Sequence, residues 1–208
     1  MRILFQGDSI TDCGRERGSM TNLGCGYAAF TKGRLVLKYP QAHEYINRGI
    51  SGNRVVDVYA RIKKDCWNYA PDVLSLLIGV NDVWHEIGGQ NGVEADRFYT
   101  VLKMLADDTL ARLPEIRMIF MEPFVLNTGV VAENWDYFRE ETALRADAVR
   151  RVADECGAFF LPLQKAFDDA CAVCDASYWL RDGVHPTAAG HQMIADRWLA
   201  LYREKIGG

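Results

Sequence analysis

The stretch Asp72-Val73-Leu74-Ser75-Leu76-Leu77-Ile78, followed by Gly79-Val80-Asn81-Asp82, decides the fold. Its apolar run does not alternate with polar residues, which is typical of a strand covered on both faces. Such strands belong to parallel sheets with helices packed on either side. The run is much shorter than the roughly 20 apolar residues that cross a bilayer, so we expect no membrane association from it.

Four further short apolar runs predict strands, and amphipathic stretches alternate with them along the chain. The predicted strands begin at Ile3, His43, Ile116 and Ala158. The predicted helices span residues 27–39, 55–66, 93–113, 137–156 and 187–202. Proline or glycine lies at nearly every junction. Strand–helix alternation with right-handed crossovers predicts one α/β domain over residues 1–208, with a five-stranded parallel sheet and helices on both faces.

Composition and charge narrow the classes of partner. The 208 residues are 49% hydrophobic and 25% charged, and this mixture excludes intrinsic disorder. Because 28 acidic residues outnumber 24 basic ones, we expect no nucleic-acid partner. The amino terminus lacks the apolar core of a signal peptide, so a cytoplasmic location is expected, and the six scattered cysteines are expected to be free thiols.

Candidate catalytic residues follow the predicted strands, where open parallel sheets bind ligands. Ser9 follows the first strand, and Asp182 and His185 lie just before the last helix. A serine hydroxyl needs a base in contact, and a neutral imidazole can accept its proton. Asp182 can reach the other ring nitrogen of His185 from the same loop and fix its tautomer. These residues predict acyl transfer, with Ser51 as the rival nucleophile.

An oxyanion formed in such a reaction needs preorganised hydrogen-bond donors. The backbone N–H groups of Ser9 and Gly52 and the side-chain amide of Asn81 could converge on it. Gly52 suits a close approach of backbone because it has no Cβ.

Four short motifs carry a resemblance to a known family. Gly7-Asp8-Ser9, Gly52, Gly79-Val80-Asn81-Asp82 and Asp182-x-x-His185 resemble, in order, the four motif blocks of the SGNH hydrolases, also called GDSL esterases and lipases. The resemblance spans nearly the whole chain, with Ile10 where the family usually has leucine. It implies a flavodoxin-like three-layer α/β/α sandwich, a Ser9–His185–Asp182 triad and an oxyanion hole formed by Ser9, Gly52 and Asn81.

The longer segments around three of these motifs are similar to the acetylxylan-type carbohydrate acetylesterases. That similarity implies a serine esterase that removes small acyl groups, chiefly acetyl, from a carbohydrate, without cofactor or metal. Self-association would fit the family, although no sequence feature assigns an interface. Candidate substrate contacts near the catalytic loops are Trp84, His85, Trp179, Tyr178 and Arg54.

Other functions stay open at this point. Hydrolysis of other acyl esters, thioesters or lysophospholipids would use the same residues. A metal-dependent phosphoesterase could use Asp8, Asp12 and His185 instead, and a carbohydrate-binding module could retain the pocket without turnover.

Two further motifs lack the context that their usual chemistry requires. Gly24-Cys25-Gly26-Tyr27-Ala28-Ala29 matches a dinucleotide fingerprint but does not directly follow a strand. Cys171-Ala172-Val173-Cys174 has the spacing of a redox or half-zinc motif, but no second ligand pair accompanies it.

Overall fold

The protein, described by a computed structural model for residues 1–19 and 21–207, is built around one parallel sheet. The strands are β1 (Arg2–Gly7), β2 (Glu44–Asn47), β3 (Val73–Leu77), β4 (Arg117–Met121) and β5 (Phe159–Leu161). Their order is β2-β1-β3-β4-β5, and each neighbouring pair is parallel. The predicted five-stranded sheet is therefore confirmed, with each strand within about two residues of its expected position.

Ten helices are described around this sheet. They are α1 (Ser9–Asp12), α2 (Tyr27–Lys38), α3 (Val55–Asp65), α4 (Val80–Gly89), α5 (Ala95–Arg112), α6 (Gly129–Ala132), α7 (Trp135–Cys156), α8 (Gln164–Ala170), α9 (Ala176–Trp179) and α10 (Ala188–Lys205). A single 3-10 turn, Trp67–Tyr69, follows α3. The five helices expected from the sequence are present. The other five were not predicted, and α1 and α4 occupy segments that were expected to be loops.

Alternate residues of each strand face opposite apolar layers. Ile3 and Phe5 of β1 belong to the core beneath α2 and α10, whereas Leu4 belongs to the core beneath α3, α5 and α7. In the first layer, the Phe5 ring lies 5.6 Å from that of Trp198. Because both faces are covered, β3 is buried throughout, as its continuous apolar sequence predicts. The result is the expected three-layer α/β/α sandwich.

The strand order places the candidate residues at the carboxyl ends of the central strands. From β1 the chain passes to β2 on one side and then to β3 on the other, which creates a crevice at the carboxyl ends of β1 and β3. Ser9 follows β1, and Asn81 follows β3. No helix within the described ranges is both long and apolar enough to cross a membrane.

Candidate active site

Ser9 is the first residue of α1, two positions after β1 ends. Asp8 caps this short helix, and its Oδ1 accepts a 2.9 Å hydrogen bond from the backbone N–H of Ile10. This cap sets the turn that presents the Ser9 side chain at the sheet edge. Ser9 Oγ lies 2.8 Å from His185 Nε2, although the two residues are 176 positions apart in the chain. The structure therefore brings the Ser9 hydroxyl and the His185 imidazole into contact.

Asp182 lies behind the His185 ring on the same loop. Its Oδ2 is 2.7 Å from His185 Nδ1, and its Oδ1 accepts hydrogen bonds from the backbone N–H groups of Val184 and His185. Burial acts to raise the pKa of Asp182, but the hydrogen bonds from His185 and Val184 outweigh it and hold the pKa below its usual value. An ionised Asp182 keeps the proton on Nδ1, which leaves Nε2 free to accept the Ser9 proton.

The candidate oxyanion donors border the same cavity as Ser9 and His185. The Asn81 side chain lies in the first turn of α4, and its Nδ2 donates to the backbone carbonyl of Asn53, 3.1 Å away. Gly52 has φ +81°, a left-handed conformation that favours glycine, and a Cβ there would meet no atom within 4 Å. Glycine is therefore favoured here by the left-handed backbone and not by a steric clash that a Cβ would make with the rest of the protein.

Asp12 lies in residues 7–12, the segment that carries the candidate nucleophile Ser9 and is called the nucleophile segment below, and it links this segment to the loop that contains Gly52. This link was not predicted from the sequence. Its Oδ2 accepts hydrogen bonds from the backbone N–H of Ser51, at 3.1 Å, and from Ser51 Oγ, at 3.3 Å. Arg17 also binds this oxygen, at 2.7 Å. Although burial acts to raise its pKa, the contacts with Arg17 and Ser51 keep the pKa of Asp12 below its usual value. An ionised Asp12 thus fixes the residue next to Gly52.

Two further carboxyl groups lie buried beneath the site. Burial raises the pKa of both Asp8 and Asp82 to about 7, and each is almost inaccessible to solvent. Both oxygens of Asp82 accept hydrogen bonds from the backbone N–H of Val55, at the start of α3. Asp82 therefore joins α4 to the segment that follows Gly52.

An open cavity of about 690 Å³ surrounds Ser9 and His185. Besides the catalytic candidates and Ser51, it is lined by Trp84, His85, Gly88, Gly89 and Asn91. The Trp84 ring centroid lies 5.8 Å from that of His185. Trp84 and His85 are thus brought to the cavity, both on α4. Gly88, Gly89 and Asn91 were not predicted to line a cavity, although the apolar spacing of Val80, Val83, Trp84 and Ile87 is typical of a helix.

Three other candidate substrate contacts do not line this cavity. The Arg54 guanidinium donates to the carboxylate of Asp57 and to the side chain and backbone carbonyl of Asn91. It therefore holds Asn91, which lines the cavity, but does not line the cavity itself. The Trp179 indole N–H donates to the carbonyl of Ala170. The Tyr178 side chain is 55% exposed and lies against the Trp179 ring.

The side chains proposed for a metal-dependent alternative do not converge. Asp8 faces the interior and binds Ile10 N–H, while Asp12 is paired with Arg17. Over residues 1–19 and 21–207, no group of three or more histidine, cysteine or acidic side chains is arranged to hold a metal ion.

Known proteins are similar to this chain over most of its length. The model of the GDSL-like Lipase/Acylhydrolase family matches residues 5–193. An acetylxylan esterase from Geobacillus stearothermophilus is 34% identical over 207 residues, which cover 95% of this chain and 92% of that protein.

Solved structures of related proteins superpose on this fold over nearly its whole length. A GDSL-like protein from Parabacteroides merdae superposes with a TM-score of 0.93 at 38% identity, covering 98% of this chain and 96% of the other. The acetylxylan esterase from Geobacillus stearothermophilus superposes with a TM-score of 0.86 at 33% identity, covering 96% and 92%. Solved structures also exist for catalytic mutants of this esterase, in which a serine, an aspartate or a histidine is replaced by alanine.

Proposed function

Since the chain belongs to the GDSL-like lipase/acylhydrolase family and is a carboxylic ester hydrolase, we propose that it removes acetyl groups from an acetylated carbohydrate through Ser9, His185 and Asp182. The observation that carries this proposal is the continuous chain of short contacts from Ser9 Oγ to His185 and on to Asp182, at 2.8 and 2.7 Å. The relative's catalytic mutants alter the same three residue types.

The reaction begins with attack of Ser9 Oγ on the ester carbonyl carbon. His185 Nε2 accepts the serine proton, and Asp182 stabilises the imidazolium that forms. The carbonyl oxygen becomes an oxyanion, which the N–H groups of Ser9 and Gly52 and the Asn81 amide stabilise. Each such donor typically contributes about 10² to 10³ in rate. His185 then returns the proton to the leaving alcohol, and an acetyl-Ser9 ester remains.

Water completes the cycle by the same route. His185 removes a proton from a water molecule that attacks the acetyl-enzyme, and collapse of the second oxyanion releases acetate and restores the Ser9 hydroxyl. Every proton in this cycle passes through His185 Nε2.

The cavity supports a sugar as the alcohol part of the substrate. At about 690 Å³ it is much larger than an acetyl group, and the half-buried Trp84 ring offers an apolar face on which a pyranose can lie. The related enzyme from Geobacillus stearothermophilus is described as an acetylxylan and acetyl-xylooligosaccharide esterase, so acetylated xylo-oligosaccharides are the substrate class we propose for this chain.

A substrate panel tests this proposal. Acetate or free acid release is measured on acetylated xylo-oligosaccharides, p-nitrophenyl acetate and butyrate, an acetyl thioester and a lysophospholipid. We expect the highest kcat/KM on the acetylated saccharides. A higher value on the thioester or the lysophospholipid would contradict the carbohydrate assignment, and absence of hydrolysis across the panel would contradict the esterase mechanism.

Trp84→Ala sharpens the sugar assignment. If the ring binds a pyranose, its removal raises KM on the acetylated saccharides by roughly tenfold, the value of one stacked aromatic contact of about 1–1.5 kcal/mol, and changes p-nitrophenyl acetate turnover much less. An equal loss on both substrates would show that Trp84 acts by supporting the His185 ring instead.

A further inference from the structure

Cys13 and Cys25 form a thiol pair at the edge of the nucleophile segment. Cys13 directly follows α1 and has a left-handed backbone with φ +37°, while Cys25 lies two residues before α2. Their Sγ atoms are 3.6 Å apart. Disulfide formation, with a bond of about 2.05 Å, requires the two sulfurs to approach by only about 1.5 Å.

The backbone around this pair is held in close contact. Cys25 N–H donates to the Cys13 carbonyl at 2.9 Å. A Cβ on Gly24 would lie 2.5 Å from that carbonyl oxygen, and a Cβ on Gly26 would lie 2.8 Å from Cys13 Cβ. Neither distance is tolerated by real side chains. The glycines on both sides of Cys25 therefore let its backbone lie against Cys13, which explains the Gly24-Cys25-Gly26 motif without a dinucleotide.

The two sulfurs differ in environment. Cys25 is exposed, whereas Cys13 is half-buried, with its Sγ 3.3 Å from His191 Nε2. Burial and the neighbouring Cys25 thiol raise the pKa of Cys13 to about 11. Cys25 is therefore the sulfur that meets an oxidant from solution, and Cys13 is the one that resolves the product.

We propose that Cys13 and Cys25 are a peroxide-sensitive thiol pair that closes to a disulfide and thereby slows the esterase. The Cys25 thiolate attacks hydrogen peroxide, breaking its O–O bond to give the sulfenic acid and hydroxide. The Cys13 thiol then gives its proton to the hydroxide released in the first step, and its sulfur attacks the Cys25 sulfur and displaces a second hydroxide. Overall, two thiols and one peroxide give one disulfide and two waters, so sulfur loses the two electrons that the peroxide gains.

The effect on turnover follows from where Cys13 is attached, and this half of the proposal rests on the proposed function. The Cys13 backbone N–H donates to the carbonyl of Ser9 at 2.9 Å. Both cysteines also line a second depression that reaches Ser9 and His185. A shift on the order of 1 Å near reacting groups can cost up to about 10²-fold in rate, so we expect a fall of roughly tenfold on closure.

The other cysteines provide an internal comparison. Cys171 and Cys174 have the spacing of a redox pair, yet no contact joins their sulfurs within the described residues. Burial raises the pKa of Cys66 to about 12 and also raises that of Cys156. Selective oxidation at Cys13 and Cys25 therefore depends on their proximity and not on sequence spacing.

The experiment treats the full chain with stoichiometric hydrogen peroxide, quenches it with an alkylating agent and digests it with trypsin. Cleavage after Arg15 and Arg17 places the two cysteines in separate peptides, residues 3–15 and 18–32. We expect a loss of 2 Da per chain and one cross-linked species joining these peptides. Cys25→Ser and Cys174→Ser are treated in parallel, and only the first should prevent the link.

Esterase rates on p-nitrophenyl acetate are measured on the same samples before and after dithiothreitol. We expect the roughly tenfold fall to be reversible in the wild type and absent in Cys25→Ser. Failure to form the 3–15/18–32 link, or preferential linkage of Cys171 to Cys174, would overturn the thiol-pair assignment whatever the enzyme's substrate. A formed link with unchanged turnover would overturn the regulatory half alone.

Discussion

The two halves of the candidate active site are held in place by different means. In the loop over residues 181–186, Asp182 binds both the His185 ring and its backbone, and an antiparallel bridge between Leu180 and Pro186 closes the loop. From outside the loop, the Leu126 N–H donates to the Gly183 carbonyl at 3.0 Å, so the contacts that hold the His185 ring are local while the loop itself is also anchored to the rest of the fold. The nucleophile segment over residues 7–12 instead depends on distant parts of the chain.

Contacts from three other elements hold that second segment. Asn47 Nδ2, at the end of β2, donates to the carbonyl of Thr11. Arg61, on α3, donates to the carbonyl of Gly7, and Asp12 binds Ser51. The proposed base is therefore oriented mainly by a local motif, whereas the proposed nucleophile and oxyanion donors depend on contacts assembled at the carboxyl ends of β1 and β3. Substitutions in the two segments can therefore separate local support from support by distant parts of the chain.

Removing the nucleophile should have the largest effect. Ser9→Ala is expected to lower kcat/KM on p-nitrophenyl acetate by at least about 10⁴-fold, since no other group on the cavity wall has His185 Nε2 in contact. Far-UV circular dichroism should be unchanged. Ser177→Ala, at an exposed serine, is the matched control.

Ser51→Ala should lower kcat/KM by less than about tenfold, because the hydrogen bond from the Ser51 backbone N–H to Asp12 remains. A larger loss than in Ser9→Ala would identify Ser51 as the nucleophile instead.

Asp182→Asn tests the local half of the site. An amide at this position cannot hold His185 Nδ1 in the protonated tautomer as the carboxylate does, so we expect kcat to fall by about 10³- to 10⁴-fold with little change in KM. Asp175→Asn, an exposed aspartate nearby in the chain, should retain full activity. If Asp182→Asn keeps more than about a tenth of the wild-type rate, His185 does not depend on this partner.

Asn81→Ala tests the half that depends on the sheet. Loss of the amide should lower kcat by about 10²- to 10³-fold, the usual effect of one oxyanion donor, while the contact between Ser9 and His185 stays intact. Asn134→Ala, at an exposed asparagine, is the control. A fall confined to KM would instead assign Asn81 to ground-state binding.

Asp8→Asn should give the smallest effect, seen as a change in the pH dependence of stability. Burial raises the folded-state pKa of Asp8 from 3.8 to about 7, so between these values the native state binds more protons than the unfolded state. The Asp8 contribution to the free energy of unfolding therefore decreases as pH rises from about 4 to 7, by up to about 1.4 kcal/mol per pH unit.

The variant lacks this titration. As the pH rises from 5 to 8, the difference in unfolding free energy between Asp8→Asn and the wild type should shift in favour of the variant by about 1–3 kcal/mol. Urea unfolding measures this shift, and the exposed Asp175→Asn is the control. Parallel curves for Asp8→Asn and the wild type would mean that Asp8 is ionised in the native protein.

The same contrast explains how much the sequence could predict. The strands were predictable because an apolar run such as 73–78 must be covered on both faces. The proximity of Asp182 and His185 was predictable because they lie three positions apart in one loop. The bond from Asp12 to Ser51 spans 39 positions, and that from Val55 to Asp82 spans 27, so neither leaves a local signal. Short α8 and α9 also lack enough turns to show a periodic apolar face.

Helix α4 was missed for a different reason. Gly79 at its start and Gly88-Gly89 at its end resemble loop punctuation, while its apolar spacing lies between them. Its presence brings Trp84 and His85 to the cavity, whereas Arg54, which is close to Gly52 in sequence, is turned toward Asp57 and Asn91. Adjacency to Gly52 in the sequence therefore did not bring the Arg54 side chain to the cavity.

Covalent labelling identifies which side chain is the nucleophile and whether His185 activates it. The protein is treated with a fluorophosphonate, digested with trypsin and analysed by mass spectrometry, with His185→Ala treated in parallel. We expect one adduct per wild-type chain, on Ser9 within the peptide of residues 3–15, formed at least about 10³-fold more slowly in His185→Ala. An adduct on another residue, or labelling of Ser9 at an equal rate in the two proteins, would show that Ser9 is not a nucleophile activated by His185.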